Sequence, residues 1–349
     1  MPSSIEHSQL KFSTKVVRWY QLHGRKDLPW QRQQDQVIDP YCVWLSEIML
    51  QQTQVVKVIE YFNRFISALP TLDDLADADE QQVLALWSGL GYYNRARNLH
   101  RAAKICQRDY QSQMPCDLPQ LMALPGIGRS TAAAILSLAY DQAEPILDGN
   151  VKRVFARHFL VKGEPNKGST VNKLWQLAEQ HRELKQPAFY AQGLMDLGAK
   201  ICTKHKPLCQ QCPIMESCAA KADDVIAEYP EKKQKVKQKS VDLHAILYKW
   251  GDQLGLIQRS DEGIWPSLWF LPTYATQTAL SDAHPQAQNQ FSLTHKLTHR
   301  ILHIHIYTLD VEDGNTVKLH NMAWISRNQL SDRPHPKALN HILNQHDNH

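Results

Sequence analysis

The sequence predicts a two-domain protein, mainly α on its N-terminal side and α/β in a smaller C-terminal part. Three observations carry that division. Apolar residues recur at helical spacing from Leu10 to about Ala199, four cysteines then crowd into Cys202 to Cys218, and beyond Ser240 the pattern changes to strand-like alternation. The boundaries drawn from this are 1–226 for the helical domain with its cysteine loop 202–218, 227–240 for a basic linker, and 241–349 for the C-terminal domain.

A chain of 349 residues can bury two cores, and 43% hydrophobic with 21% charged residues is ordinary composition. The net charge of +4 is too small to single out a polyanion binder, so local clusters say more than the total. No apolar run approaches a membrane span, and the start M-P-S-S-I-E-H lacks the basic and apolar regions of a signal peptide. The expectation is a cytoplasmic protein with no membrane contact. Seven cysteines, four of them in one short stretch, favour a metal or cluster site in a reducing compartment over a disulfide framework.

Leu10, Phe12, Val16, Val17, Trp19, Tyr20 and Leu22 predict a first helix that Gly24 stops, and Asp27-Leu28-Pro29-Trp30 reads as a turn. Pro40 opens a second helix, P-Y-C-V-W-L-S-E-I-M-L-Q-Q-T, in which Trp44, Glu47 and Gln51 share a face. A carboxylate among Trp, Ile, Met and Leu loses hydration, which raises its pKa toward that of a general acid. The alternative is a surface acid whose head reaches water. Further on, Leu90-Gly91-Tyr92-Tyr93-Asn94-Arg95 joins a glycine break to two tyrosines and a basic helix start, which suits a wedge into a base stack or, more plainly, a core tyrosine pair.

Leu124-Pro125-Gly126-Ile127-Gly128 reads as a tight turn between two helices, and glycines there let backbone N–H groups approach a phosphate closely. The helix from about Arg129 to Ala139 is apolar nearly all round, so it is expected to be buried. Asp148 then stands like an N-cap before a helix whose Val151, Val154, Phe155 and Phe159 lie on one face. Its carboxylate could do no more than satisfy the first turn. Two more helices, about Thr170–His181 and Pro187–Ala199, lead into the cysteines.

Cys202, Cys209, Cys212 and Cys218 are spaced C-x6-C-x2-C-x5-C. Thiolates from one loop can close around a four-iron cluster or an all-cysteine zinc site, and spacing alone does not separate them. Pro230 to Ser240 carries five lysines and reads as a solvated connector able to trail along a phosphate backbone. Beyond it, H-A-I-L-Y-K-W and L-G-L-I-Q-R look like a strand pair around a Gly-Asp turn, and R-I-L-H-I-H-I-Y-T-L-D alternates as a half-buried strand. Eleven of the seventeen histidines lie past residue 240, and a strand-face reading of H-x-H is preferred to a metal site.

L-P-G-I-G-R-S-T-A followed by L-D-G-N-V-K-R resembles the helix-hairpin-helix DNA glycosylases, and S-E-I-M-L-Q-Q-T-Q-V with L-G-Y-Y is similar to the MutY-type adenine DNA glycosylases. The cysteine spacing looks like the iron-sulfur loop of the endonuclease III and MutY families. G-I-W-P-S-L-W-F-L-P resembles the MutY C-terminal domain, which is Nudix-like; the acidic Nudix helix is missing after Pro272, so no pyrophosphate hydrolysis is expected. The resemblance is dense from Leu10 to Tyr229 and sparse beyond.

It implies one 4Fe-4S cluster on the four cysteines and a monomer acting on double-stranded DNA that carries adenine opposite 8-oxoguanine or guanine. Glu47 is then the proton donor and Asp148 the ionised group, held low by its helix N-terminus, that stabilises the oxocarbenium sugar or traps it covalently. Leu28, Trp30, Gln51, Gln52, Gly126, Gly128, Ser130, Asn150 and Lys152 fall on substrate or DNA contacts, Tyr92 on the wedge, and Gln192 at the adenine pocket. Ser130 stands where the related glycosylase/lyases carry a lysine, so a monofunctional enzyme is expected, with Lys152 as the nearest alternative amine. Leu297-Thr298-His299 aligns with the loop that reads the oxidised guanine, usually Phe-Ser-His, and lacks its aromatic ring. The competing readings are an endonuclease III-like enzyme for oxidised pyrimidines and a non-catalytic DNA-binding iron-sulfur protein.

Overall fold

The computed structural model describes residues 4–31, 38–231, 238–317 and 319–347; four of the five linker lysines, Lys232, Lys233, Lys235 and Lys237, lie outside the described residues. By their contacts the residues fall into two compact units, one formed by Met1–Asp77 with Asn98–Gln234, the other by Ala78–Arg97 with Lys235–His349.

In chain order the helices are α1 (Ser4–His23), α2 (Pro40–Leu50), α3 (Val55–Ala68), α4 (Leu72–Asp77), α5 (Glu80–Leu86), α6 (Asn94–Asp109), α7 (Leu118–Ala123), α8 (Arg129–Tyr140), α9 (Gly149–His158), α10 (Gly168–Gln180) and α11 (Pro187–Asp196). The first unit is helical. Pro40 at the start of α2 needs no N–H partner, and Asp39 caps the helix by accepting from Tyr41 N at 2.9 Å. α2 buries Val43, Trp44, Leu45, Ile48 and Met49, and α8 buries Ala132 through Ser137, so the two pack as central helices with α11 against α8 and α1 against α11. Small alanines let the α8 backbone come close. Around them Phe12, Val16, Phe155, Leu174 and Leu194 form one apolar cluster.

After α11 the chain makes a π turn, Leu197–Ile201, before reaching Cys202. Gly198 in that turn lies against α9: an added Cβ would stand 2.6 Å from the Asn150 Cβ, so only glycine fits without displacing Asn150.

The second unit is built on a sheet of β1 (Lys239–Trp250), β2 (Gln253–Gln258), β3 (Trp269–Phe270), β4 (Thr273–Tyr274), β5 (Gln288–Lys296), β6 (Arg300–Asp310) and β7 (Met322–Ser326). The order is β3-β2-β1-β6-β5, with β4 also paired to β1 and β7 to β2. The expected strand pair is there as β1 and β2, antiparallel through Tyr248↔Gly255, with Gly251 at φ +58° in the turn. β6 runs parallel to β1 and places Leu302, Ile304 and Ile306 in the core, so its histidines face the other side. In the same unit Tyr93 Oη donates to His335 O at 2.5 Å and Arg97 to Pro266 O at 2.6 Å, tying residues 78–97 to the sheet.

Candidate active site

Glu47 projects from the middle of α2, half-buried, and no side chain or backbone group among the described residues donates to its carboxyl. Burial first, and the charge of Asp148 second, together raise its pKa from 4.5 to about 7. Two residues 101 positions apart are thereby within electrostatic reach of one another, as a paired-carboxylate site requires.

Asp148 is held differently. It is the N-cap of α9, accepting from Val151 N at 2.7 Å on Oδ1 and from Asn150 Nδ2 at 3.2 Å on Oδ2. Asn150 is itself fixed: its Oδ1 accepts from Arg153 at 2.8 Å, and the same guanidinium donates to Gly198 O and Cys202 O, both at 2.7 Å. The sequence reading that the helix mouth keeps Asp148 low is corrected here. Burial outweighs the bonds from Val151 and Asn150 and the nearby Arg153 charge, so its pKa lies above the ordinary carboxylate value.

At the hairpin, Gly126 has φ +81°, and a Cβ there would meet Asn98 at 2.8 Å, so both conformation and space call for glycine. Gly128 is the N-cap of α8 with φ −90°, an ordinary extended conformation. Open space surrounds Gly128, so a ligand can approach the α8 N-terminus. Ser130 Oγ accepts from Leu147 N at 3.3 Å, joining the hairpin to the segment that ends in Asp148. Lys152 donates to Asn166 at 2.7 Å, and burial lowers its pKa.

Gln51 reaches Thr131 Oγ1 at 3.4 Å, while Gln52, exposed and at φ +58°, breaks the chain out of α2. Leu28 and Trp30 are both buried, Trp30 against the Phe62 ring at 5.3 Å. Trp30 and Gln192 line a cleft of about 860 Å³ together with Val43 and Phe189. Behind Gln192 lies a cluster that the spacing of motifs did not reveal: Asp196, fully buried, accepts from Gln192 Nε2 at 3.0 Å, Arg25 N at 2.8 Å and Arg25 Nε at 3.0 Å. Only the i, i+4 placement of Gln192 and Asp196 on α11 was there to be noticed.

Cys202, Cys209, Cys212 and Cys218 line one small cavity of about 30 Å³. Burial raises the thiols of Cys212, to about 12, and Cys218, and the neighbouring cysteines add to both shifts. Arg157 points at the loop, donating to Thr203 O at 2.8 Å and approaching Cys202 Sγ at 3.4 Å. The sulfurs stand around the cavity; among the described residues no three His, Cys, Asp or Glu groups converge as they would on a single metal ion. The donor set is all thiol with a cationic neighbour, which fits an anionic thiolate-ligated cluster.

Two further residues meet in the strand-rich unit. Tyr92 is 47% exposed at φ +53°, with the Arg95 guanidinium 5.4 Å from its ring, and its hydroxyl lies 3.4 Å from Thr298 Oγ1. Thr298 and His299 form the turn between β5 and β6, which Leu297 N closes onto Arg300 O at 2.8 Å. The histidines of the sheet lie on a strand face, with His305 bonded to Asp242 at 3.1 Å and stacked on His244 at 4.8 Å.

Comparison with known proteins agrees with both halves of this description. The HhH-GPD superfamily of base excision DNA repair proteins matches residues 45–180, and the NUDIX domain family matches residues 244–345. The adenine DNA glycosylase of Buchnera aphidicola subsp. Schizaphis graminum is 38% identical over 304 residues, 84% of this chain and 86% of the relative. The Homo sapiens adenine DNA glycosylase is 41% identical over 215 residues, 60% of this chain and 39% of its own length. A solved thermostable thymine-DNA glycosylase superposes with a TM-score of 0.56 at 26% identity, over 63% of this chain and 100% of that one. A helical glycosylase unit, a Nudix-like unit and the match to most of a relative's length together show that the chain belongs to the adenine DNA glycosylase family.

Proposed function

We propose that the protein excises adenine mispaired with 8-oxoguanine or guanine in double-stranded DNA, acting as a monomer in the cytoplasm and as a monofunctional glycosylase. The observation that carries the chemistry is the pair of unlike carboxylates. Glu47, to which no group among the described residues donates, has its pKa raised to about 7 and so keeps a protonated fraction at neutral pH; Asp148 is anchored by α9 and Asn150. An extruded adenine is protonated by Glu47 as its glycosidic bond breaks, and Asp148 stabilises the cationic sugar or attaches to it before water enters. Burial raises the pKa of both acids, and the Val151 and Asn150 donors and Arg153 oppose it only at Asp148, which supports giving Asp148 the ionised role.

Further roles belong to the same reading. Gln192 faces the base, Gln51 and Gln52 lie toward the opposed nucleotide, Gly126 and Gly128 grip a phosphate, Tyr92 wedges the stack, and Thr298 with His299 contacts the oxidised guanine. Leu28 and Trp30 belong to the substrate contacts of this reading; both are buried, and Trp30 lines the cleft. Cys202, Cys209, Cys212 and Cys218 hold one 4Fe-4S cluster, whose chemistry here is to cross-link the loop. The domain limits of this reading lie near residues 226 and 241, and residues 78–97 group with the second unit.

The deciding experiment is single-turnover excision on duplexes with adenine opposite 8-oxoguanine, guanine or thymine. Preference for the first two is expected. Efficient excision of an oxidised pyrimidine instead, or an efficient borohydride-trapped adduct, would favour the endonuclease III-like alternative.

A further inference from the structure

The turn between β5 and β6 exposes Thr298 and His299, and in the second unit each backbone carbonyl of the triplet Leu297-Thr298-His299 has a partner. The side-chain amide of Gln238 donates from Nε2 to Leu297 O at 2.8 Å and to Thr298 O at 3.2 Å, one N–H for each of two successive carbonyls. Only an amino group can serve two carbonyl oxygens, so the orientation of this amide follows from its partners. Lys239 N donates to His299 O at 3.3 Å, where β1 comes into register with Arg300 of β6. The Leu297 side chain, half-buried, packs inward against the core cluster of the sheet. The turn is therefore pinned from inside by an apolar side chain and along its edge by Gln238 and Lys239, where the chain enters β1. Leu297 has no ring to stack on a base, which leaves the side chains of Thr298 and His299 as the exposed contacts.

We infer that Gln238 is a positioning residue for the opposed base: its amide clamps the carbonyls of Leu297 and Thr298 and so fixes the Thr298 hydroxyl and the His299 imidazole against the oxidised purine. The inference rests on the proposed reading of this turn as the contact to 8-oxoguanine. That base differs from guanine only by an oxygen at C8 and a hydrogen on N7, a difference read by polar groups held to within about 0.5 Å. A turn freed from the clamp would still meet DNA through the phosphate charge that both duplexes share, but would separate the two purines less well.

The test compares excision of adenine opposite 8-oxoguanine and opposite guanine by the cluster-loaded full chain, at protein concentrations below saturation so that recognition enters the rate. Gln238→Ala, and Gln238→Glu, which keeps the length without the donor, should narrow the ratio of the two rates by about three- to tenfold, the range that one hydrogen bond supplies. Excision opposite guanine should stay nearly unchanged in Gln238→Ala. Gln238→Arg, a donor of similar reach, should restore much of the ratio, because the charge it adds acts on both duplexes alike. An unchanged ratio in Gln238→Ala and Gln238→Glu overturns the inference whatever happens to Tm, and so does equal slowing opposite both bases. If the unaltered protein excises adenine with no preference for 8-oxoguanine, the reading of the turn itself fails, so the two failures are distinguishable.

Discussion

The middle of α2 and the mouth of α9 each hold a carboxylate out of water, and they do so by opposite means. Around Glu47 the helix supplies mostly apolar neighbours, and no group among the described residues donates to its carboxyl. Around Asp148 the chain supplies a backbone N–H, an amide and a nearby guanidinium. Withholding donors makes a proton donor, and supplying them makes an anion holder.

The largest effect that could break this contrast is removal of the proton. Glu47→Gln keeps shape and should lower single-turnover excision by about 10³-fold with DNA affinity nearly unchanged, read by gel shift. Near-normal excision would sink the assignment. Asp148→Asn keeps an N-cap of similar quality while deleting the charge; a fall of about 10²–10³ is expected, with little change in Tm. The pH profile sharpens the comparison, because Glu47 is protonated below about 7 and ionised above. The excision rate should therefore fall as pH rises through about 7, by about tenfold per unit, and that limb should vanish in Glu47→Gln.

Stability provides a smaller but independent reading. A carboxyl whose folded pKa is raised from 4.5 to about 7 disfavours folding once it must ionise, so the penalty is absent below about 4.5 and complete above about 7. Glu47→Gln should therefore melt higher than the unaltered protein at pH 8 and no higher at pH 4, by calorimetry. Smallest of all, Asn150→Ala removes one of the donors to Asp148 and should cost about tenfold in excision.

How much of this could be read from residues follows the range of the interaction. The helical order, the Asp148 cap and the cysteine loop are written in short-range spacing, so they were legible. The raised pKa of Glu47 was legible too, since its apolar neighbours are on its own helix. Asp148 misled, because its donors are local while the burial that outweighs them comes from elements distant in sequence. Arg25 and Asp196 meet across 171 positions, and Tyr92 and Thr298 across 206, and neither meeting leaves a local pattern. The turn glycines look alike in sequence, yet only Gly126 needs its φ.

The Arg153 guanidinium spans from the carbonyl of Cys202 to the amide that steadies Asp148, with Gly198 O on the same fork. A strut of that kind transmits slack. Unravelling the cysteine segment would withdraw an anchor from Arg153 and loosen the Asp148 cap, so activity would decline before the helical core melts. Damage to a distant loop would then be felt as an enzymatic defect in a protein that still looks folded.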